Sequence, residues 1–408
     1  MTAPPSPDTI DQRTWWRQIL AGTDQENAES VPSTARRETY LLLPSAADPR
    51  QVVDASSSRL LAAELARAPA GSSTAAAATR RALSIGASLG LGRVLRLNRM
   101  TIDGVGSSTL AARLAEVLDR DEVRLSLAAG PARPNRKPVA RILDPDGQLL
   151  GVAKIGWDPS TRALIEREAA ALDGAAELPT PFLTPVARGL IDVGALRVLV
   201  LEPLDIPDDR IDPLTIDPEV GAVKVLAGHD IESVPLARAP FLVSLTDRLV
   251  RHDRGAELRG LIDRLRAVSG HDPVLVGRAH GDWAPWNLRR VPAGLLVWDW
   301  ERYASGVPVG FDLAHHRYSV HRPGSADVAT SAARAESDLR DLVPQLGLGP
   351  TDVASLVLFQ LMELATRHFE SASAEDLSEE TSGLLNEIER RMTSLNRTDA
   401  PSSPKAEA

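Results

Sequence analysis

The spacing of apolar residues changes period along this chain, and each change marks a new element. Thr39-Tyr40-Leu41-Leu42-Leu43 forms a short strand-like run, and Ala/Leu/Arg helical patterns follow it to about residue 120. Val123-Arg124-Leu125-Ser126-Leu127 and Val139-Ala140-Arg141-Ile142-Leu143 alternate as half-buried strands do. Leu149 to Ile155 and Leu196 to Leu201 are more continuously apolar, the pattern of buried strands. Between these two, Thr161 to Leu172 has helical spacing, with Ser160 available as its cap and Gly174 as its end. Farther along, Leu295-Leu296-Val297-Trp298 is a short buried strand, and the preceding Arg289 to Gly294 reads as a hairpin turn.

At 408 residues the chain exceeds one ordinary core, so the elements are expected to sort into several regions. Residues 1–36 are rich in Pro, Ser and acids; apart from a helix-like piece around Trp15 and Trp16, disorder is expected there. Residues 37–120 form an extension or cap, 121–204 a small strand-rich region and 205–395 a larger helical one. The polar tail 396–408 is expected to be disordered.

Composition narrows the function classes. No apolar run approaches the ~18–20 residues of a membrane span, so no membrane association is expected. The absence of cysteine excludes a disulfide framework, and no secretory pattern opens the chain, which together favour a cytoplasmic enzyme. A net charge of −9 without a basic stripe argues against nucleic acid. Only four of the 46 basic residues are lysines (Lys137, Lys154, Lys224 and Lys405), so a lysine held where arginine would serve is informative.

The densest chemistry lies in His280-Gly281-Asp282-Trp283-Ala284-Pro285-Trp286-Asn287 and the Asp299-Trp300-Glu301 that follows the strand. The hairpin brings Asp299 back beside Asn287. One carboxylate there can orient and deprotonate an attacking hydroxyl, while the amide and the second carboxylate hold Mg²⁺ against a nucleotide's phosphates. The trio His315, His316 and His321 lacks the Cys or Glu that would complete a tetrahedral metal set, and reads as structural or substrate-facing.

H-G-D-x-x-x-x-N followed by an apolar run and D-W-E resembles the aminoglycoside phosphotransferase and choline kinase family of small-molecule kinases, relatives of protein kinases. The resemblance implies an α+β, bilobal protein-kinase-like fold, with a small antiparallel-sheet N-lobe at 121–204 and a larger, mostly helical C-lobe at 205–395. It implies Asp282 as catalytic base, Asn287 and Asp299 as ligands of Mg²⁺, His280 as a packing residue under the loop, and Asp312 as the brace of that loop. The cofactors implied are ATP and Mg²⁺.

The upstream half carries matching elements. Lys154, in Leu149-Leu150-Gly151-Val152-Ala153-Lys154, resembles the strand lysine of kinases that reaches phosphate oxygens. At 3.6 residues per turn, Leu164, Glu168 and Leu172 share an apolar stripe, whereas Glu166 points the other way. A carboxylate among leucines needs a partner, and Lys154 is the natural one. The segment from Ala128 to Lys137 sits where a phosphate-covering loop belongs, with Gly130 as its one glycine and Asn135 and Lys137 as polar aids; it reads equally as a basic hairpin tip in solvent. Glu202 and Leu204, where the last buried strand breaks into a Pro-terminated loop, are implied as the adenine-binding hinge.

Only twelve residues separate Asp299 from Asp312, too few for a peptide-binding platform, so the expected acceptor is a small hydroxylated molecule. The acid-rich stretch Asp205 to Glu219 would suit an amino sugar or aminoglycoside, and also reads as a solvated loop; neutral sugars stay open. Two other functions compete: a catalytically silent nucleotide-binding regulatory protein, and a hydrolase that passes phosphate to water.

Overall fold

The computed structural model describes residues 11–22, 36–45, 47–66, 74–89, 98–105, 109–130, 136–175, 177–178, 182–204, 216–228, 231–322, 327–347, 353–371 and 379–398. The chain is α+β: an N-terminal antiparallel sheet, then a mostly helical part. It divides into two compact units, the first made of Met1–Ala176 and Pro185–Asp205, the second of Glu177–Thr184 and Ile206–Ala408.

The first unit is built on one sheet. Its strands are β1 (Arg36–Pro44), β2 (Pro49–Asp54), β3 (Arg99–Val105), β4 (Arg124–Ala128), β5 (Val139–Leu143), β6 (Leu149–Gly156), β8 (Ala187–Val193) and β9 (Leu196–Leu201); β7 belongs to the second unit. They lie in the order β3-β1-β2-β4-β5-β6-β9-β8, all paired antiparallel. Residues 37–120, expected as an extension or cap, thus put three strands into the same sheet as the expected small lobe. The helices are α1 (Gln12–Ala21), α2 (Ser58–Ala66), α3 (Thr74–Ser88), α4 (Leu110–Val117) and α5 (Pro159–Ala175).

Because side chains alternate across a strand, the sheet buries two apolar faces. Leu42, Val52, Leu127, Ala153, Ile155 and Val200 pack with Trp15, Trp16 and Ile19 of α1 and Leu114 of α4. Leu41 and Val53 turn the other way, against Leu61 and Leu65 of α2 and Ala87 of α3. Helix α1 is therefore a core element within the stretch expected to be mainly disordered. Asp11 caps it, accepting from the Thr14 N–H at 3.0 Å, and Gly22 ends it in the left-handed region. Trp16 is fully buried, and its Nε1 donates to the Pro49 carbonyl at 2.8 Å.

Helix α5 starts earlier than expected. Asp158, not Ser160, takes the capping role, accepting from the Thr161 N–H at 2.7 Å, and Pro159 occupies the first turn. Gly174 lies inside the helix and does not end it.

The second unit holds α6 (Val220–Ala227), α7 (Pro240–Leu249), α8 (Ala256–Ser269), α9 (Phe311–His321), α10 (Val328–Leu342), α11 (Val353–Ser371) and α12 (Glu379–Thr398). Two small sheets run among them, β10-β11-β14 and β12-β13-β7. Their strands are β7 (Phe182–Leu183), β10 (Glu232–Pro235), β11 (Pro273–Ala279), β12 (Leu288–Val291), β13 (Gly294–Val297) and β14 (Ala304–Pro308). Residues 177–184 were expected with the small lobe. They join this unit because Phe182 and Leu183 pair in parallel with Leu295 and Leu296. Among the described residues no helix is long and apolar enough to cross a membrane.

Removing the Trp16 side chain leaves a cavity at the centre of the first unit and orphans the Pro49 carbonyl. Trp16→Ala is expected to cost about 3–5 kcal/mol, read as a drop in urea-unfolding free energy. A loss below about 1 kcal/mol would show that α1 is peripheral.

Candidate active site

In the first unit Lys154 sits on β6, opposite Val139 of β5 and Leu199 of β9. It faces away from Ala153 and Ile155, so it escapes the apolar cluster under α1. Its Nζ donates to Glu168 Oε1 at 2.5 Å, and Glu168, on α5, is fully buried. The other oxygen, Oε2, is buried with no hydrogen-bond partner among the described residues. Gly156 permits this geometry: a Cβ there would lie 2.7 Å from the Cα of Arg162, so only glycine lets the first turn of α5 close on the end of β6. Glu166, on the other side of the helix, pairs with the Arg197 Nε at 3.2 Å. Desolvation offsets most of the attraction in a buried ion pair, so stability alone gives weak reason to keep one. A buried lysine and glutamate on an interior strand of an apolar sheet and the helix beside it are therefore candidates for chemistry.

The expected phosphate loop is only partly within view. Ala128 pairs with Val139, which makes β4 and β5 a hairpin. Gly130 begins its turn, and a Cβ there would meet nothing within 4 Å. Residues 131–135, Asn135 with them, lie outside the described residues, and Lys137 is on the returning arm. At the end of β9 the Glu202 N–H donates to the Val186 carbonyl at 2.9 Å, and its carboxylate takes the Arg188 Nε at 2.9 Å. Leu204 follows as the last described residue before 216. These contacts brace the strand end and assign neither Glu202 nor Leu204 a ligand. Of the acid-rich stretch 205–219, residues 205–215 lie outside the described residues. Glu219 pairs with Arg290, its Oε1 taking the Arg290 Nε at 2.6 Å.

In the second unit β11 delivers His280, and the chain turns sharply at Gly281. There φ is +76°, and a Cβ would lie 2.4 Å from the Arg302 carbonyl oxygen, so glycine is required. The two backbone N–H groups freed by that turn point at one acceptor: Asp312 Oδ2 takes the His280 N–H at 2.8 Å and Oδ1 takes the Gly281 N–H at 2.9 Å. Asp312 is the second residue of α9. Burial pushes its carboxyl up to about 6, although the two N–H bonds pull the other way.

His280 is fully buried between Trp283 and Trp300, whose rings stand 5.7 and 4.8 Å from its own. Burial lowers its pKa to about 4, so the ring is neutral at physiological pH. Its Nδ1 accepts from the Asp282 N–H at 3.2 Å, which leaves the ring proton on Nε2, 3.1 Å from the Trp298 carbonyl. One imidazole thus joins the backbone of Asp282 to the residue before Asp299.

Asp282 is surrounded by donors. Asn287 Nδ2 donates to its Oδ2 at 2.9 Å, and Arg367 Nη1 to its Oδ1 at 2.9 Å; His315 Nε2 lies 3.2 Å from that same Oδ1. Burial alone would raise this carboxyl, but His315 and Arg367 outweigh it and hold the pKa well below the ordinary value. The hairpin beyond is tighter than expected. Leu288 to Val291 pair with Val297 to Gly294, so Arg289 and Arg290 belong to a strand and only Pro292 and Ala293 make the turn. The Trp298 N–H then donates to the Asn287 carbonyl at 3.2 Å. Asp299 follows at φ +65°, ψ 54°, a left-handed conformation that costs a non-glycine residue on the order of 1–3 kcal/mol.

Asn287 and Asp299 have the donor chemistry of a hard cation's ligands. With Nδ2 turned to Asp282, the Asn287 side-chain oxygen faces the opposite way, and Asp299 is a carboxylate. Among the described residues no group of three or more His, Cys, Asp or Glu could hold a metal alone. An amide oxygen and a carboxylate are the donor types that suit Mg²⁺, which commonly takes one or two protein ligands and completes its shell with phosphate oxygens and water. Trp283 is buried, donating to the Pro218 carbonyl at 2.8 Å, while Trp286 is half exposed.

Several partners of Asp282 were not legible as such in the sequence. Arg367 on α11 and His315, singled out only as structural or substrate-facing, contact the carboxylate itself, and Glu363 and Gln360 of α11 hold those two in turn. Their one sequence signal is a polar stripe in an otherwise apolar helix.

No family model and no curated protein matches the chain in sequence. Its structure is similar to a thermostable mutant of aminoglycoside phosphotransferase APH(4)-Ia in ternary complex with ADP and hygromycin B (TM-score 0.48, 11% identity, covering 73% of this chain and 100% of that one). It is also similar to choline kinase LicA from Streptococcus pneumoniae (TM-score 0.44, 15% identity, 69% and 96%). A third similarity is to the ADP-bound aminoglycoside phosphotransferase APH(2'')-Ib (TM-score 0.42, 13% identity, 69% and 97%). At such identities the function has to be argued from this chain's own residues.

The ion pairs behind Asp282 set a pH limit on the second unit. Burial would raise the Glu363 carboxyl, but Arg367 and Arg248 hold it down to about 2, against an ordinary 4.5. A carboxyl that ionises more readily in the folded state stabilises it above its unfolded pKa. That contribution is lost as the pH falls from about 4.5 through about 2. In urea titrations from about pH 7 to about pH 3, the stability gap between wild type and Glu363→Gln should narrow on the acid side. A gap that is constant or grows would show that Glu363 carries no such charge.

Proposed function

We propose that the chain is an ATP-dependent phosphotransferase that moves the γ-phosphoryl group of MgATP to a hydroxyl of a small molecule. The observation that carries the proposal is the Asp282–Asn287 contact of 2.9 Å, made in a loop whose amide residue is tied through its backbone to the residue before Asp299. A hydroxyl-orienting carboxylate beside an amide and a second carboxylate is the arrangement that phosphoryl transfer from a metal nucleotide requires.

Bound Mg²⁺ would neutralise charge on the phosphates as the transferring group leaves. Asn287 and Asp299 would hold it. Lys154, held in place by Glu168, would bind phosphate oxygens through a compact ammonium. Asp282 would accept a hydrogen bond from the acceptor hydroxyl and aim its oxygen in line with the γ-phosphorus. Because its neighbours lower its pKa, Asp282 is a weak base, and it takes the proton late. That suits a loose transition state, in which positioning and electrostatics supply most of the rate. His280 keeps the loop and the Asp299 turn in register without entering the proton traffic, since burial keeps it neutral.

The acceptor is a small molecule. The twelve residues between Asp299 and Asp312 are taken up by a 3₁₀ turn at Trp300–Arg302, by β14 and by the turn into α9. No extended segment is left there to seat a peptide.

Asp282→Asn is expected to keep the fold and nucleotide affinity while lowering phosphoryl transfer at least about 10²-fold, measured as ADP release and as a one-phosphoryl mass gain across sugars, amino sugars, aminoglycosides and choline-like alcohols. Transfer at the wild-type rate would refute the role of Asp282. Turnover without any acceptor would favour a hydrolase. Asp299→Asn should weaken nucleotide binding only when Mg²⁺ is present; calorimetry showing equal loss with and without the metal would remove Asp299 as a ligand.

A further inference from the structure

One donor on Asp282, Arg367, and the residue that orients another, Gln360 behind His315, come from one helix face. Along α11, Gln360, Glu363, Arg367 and Glu370 recur at steps of three, four and three, which places them on one stripe. The rest of the helix is largely a core element, with Leu356, Phe359, Leu361 and Met362 buried. Polar side chains sunk into such a helix are costly unless each has a partner.

Each has one. Gln360 Nε2 donates to His315 Nδ1 at 2.8 Å, which puts the imidazole proton on Nε2, facing Asp282 Oδ1. Arg367 Nη1 donates to that same oxygen, while Nη2 donates to the Gly281 carbonyl. The third guanidinium position, Nε, donates to Glu363 Oε1 at 2.8 Å. Glu363 and Glu370 are in turn both bridged by Arg248 of α7. Arg367 is thus fixed from behind, and its fork grips the catalytic loop at a backbone carbonyl and at the carboxylate.

We infer that Arg367, together with the Gln360–His315 pair, is a positioning clamp: helix α11 determines where the Asp282 carboxylate points. Both clamp arms converge on Oδ1. Oδ2, which meets Asn287, is left as the oxygen directed at the acceptor. A single hydrogen bond would leave the carboxylate free to rotate about its side-chain torsions; three donors on two oxygens hold one rotamer. Lysine is no substitute, because a point ammonium cannot bridge a carbonyl, a carboxylate and Glu363 in one plane. The inference rests on the reading of Asp282 as the acceptor-orienting base.

The test uses the full chain and compares wild type with Asp282→Asn, Arg367→Met, Arg367→Lys and Gln360→Leu. Calorimetry gives MgATP affinity, and ADP release with water and with the acceptor panel gives kcat and KM. Arg367→Met is expected to bind MgATP within about twofold of wild type and to lose about 10² in kcat at nearly unchanged KM, the signature of a misaimed group rather than a lost binding contact. Arg367→Lys should recover no more than about a tenth of the wild-type rate, and guanidinium ion added to Arg367→Ala should restore part of it. Gln360→Leu, which alters no charge, should lower kcat about tenfold; it carries the test if Arg367→Met does not fold. Wild-type kcat in Arg367→Met, or in Gln360→Leu if only that variant folds, would overturn the clamp while leaving the kinase reading intact. A wild type no faster than Asp282→Asn would overturn both.

Discussion

The second unit's site depends on one buried carboxylate accepting two adjacent backbone N–H groups. Gly281 must turn with positive φ because the Arg302 carbonyl occupies the space a side chain would need. That turn directs the N–H groups of His280 and Gly281 inward, where an unmet donor costs roughly 1–3 kcal/mol. Asp312 meets both, and it sits in the first turn of α9, where the helix dipole favours negative charge. The loop so fixed gives His280 one orientation. His280 in turn ties the Asp282 N–H to the Trp298 carbonyl, next to Asp299.

Buried charge is arranged differently in the two units. Among the described residues the first keeps Lys154 with Glu168 on an interior strand, and the looser pairs of Arg124 with Asp54 and Arg141 with Glu64. The second keeps a chain of them behind the loop: Arg248, Arg302 and Arg367 against Asp282, Glu363 and Glu370. Charges in such a network raise or lower one another's pKa according to sign. Glu363, between two guanidinium groups, stays ionised to about pH 2, whereas burial and its arginine neighbours push Arg302 down to about 10. Net stabilisation from such networks is small because desolvation offsets attraction. Their effect is geometric, in that each guanidinium fork allows its partner few orientations.

What the sequence revealed was what is local. The five-residue interval from Asp282 to Asn287, the short hairpin before Asp299 and the apolar stripe around Glu168 are all set by neighbours within a dozen or so residues, where period and turn chemistry are readable. The Arg367–Asp282 contact spans 85 residues and Gln360–His315 spans 45; nothing in the period of α11 says which helix its polar stripe meets. Short elements escaped for a related reason. Two residues, Phe182 and Leu183, are too few to show a pattern, yet their pairing with β13 moves a whole segment into the second unit. At the start of α5 two polar residues competed for the cap. Asp158 won because Pro159, suited to a helix's first turn, sets the boundary after it. At the N-terminus the helix-like piece around Trp15 and Trp16 was readable, but its Pro- and Ser-rich surroundings gave no sign that its two tryptophans complete the sheet's core.

The contacts on Asp282 also bear on what kind of base it would be in the proposed reaction. A general base that must remove a proton early would be expected near neutral pKa. Here His315 and Arg367 favour the charged form strongly enough to overcome burial. The carboxylate is therefore ionised at any working pH, at the expense of proton affinity. An attacking hydroxyl in a loose phosphoryl-transfer transition state has lost little of its proton, so low affinity costs that reaction little while a fixed direction helps it. The left-handed backbone at Asp299 follows the same logic. Strain there is tolerated because the β12–β13 hairpin and the His280–Trp298 bond over-determine the turn, and it sets a second carboxylate at one angle.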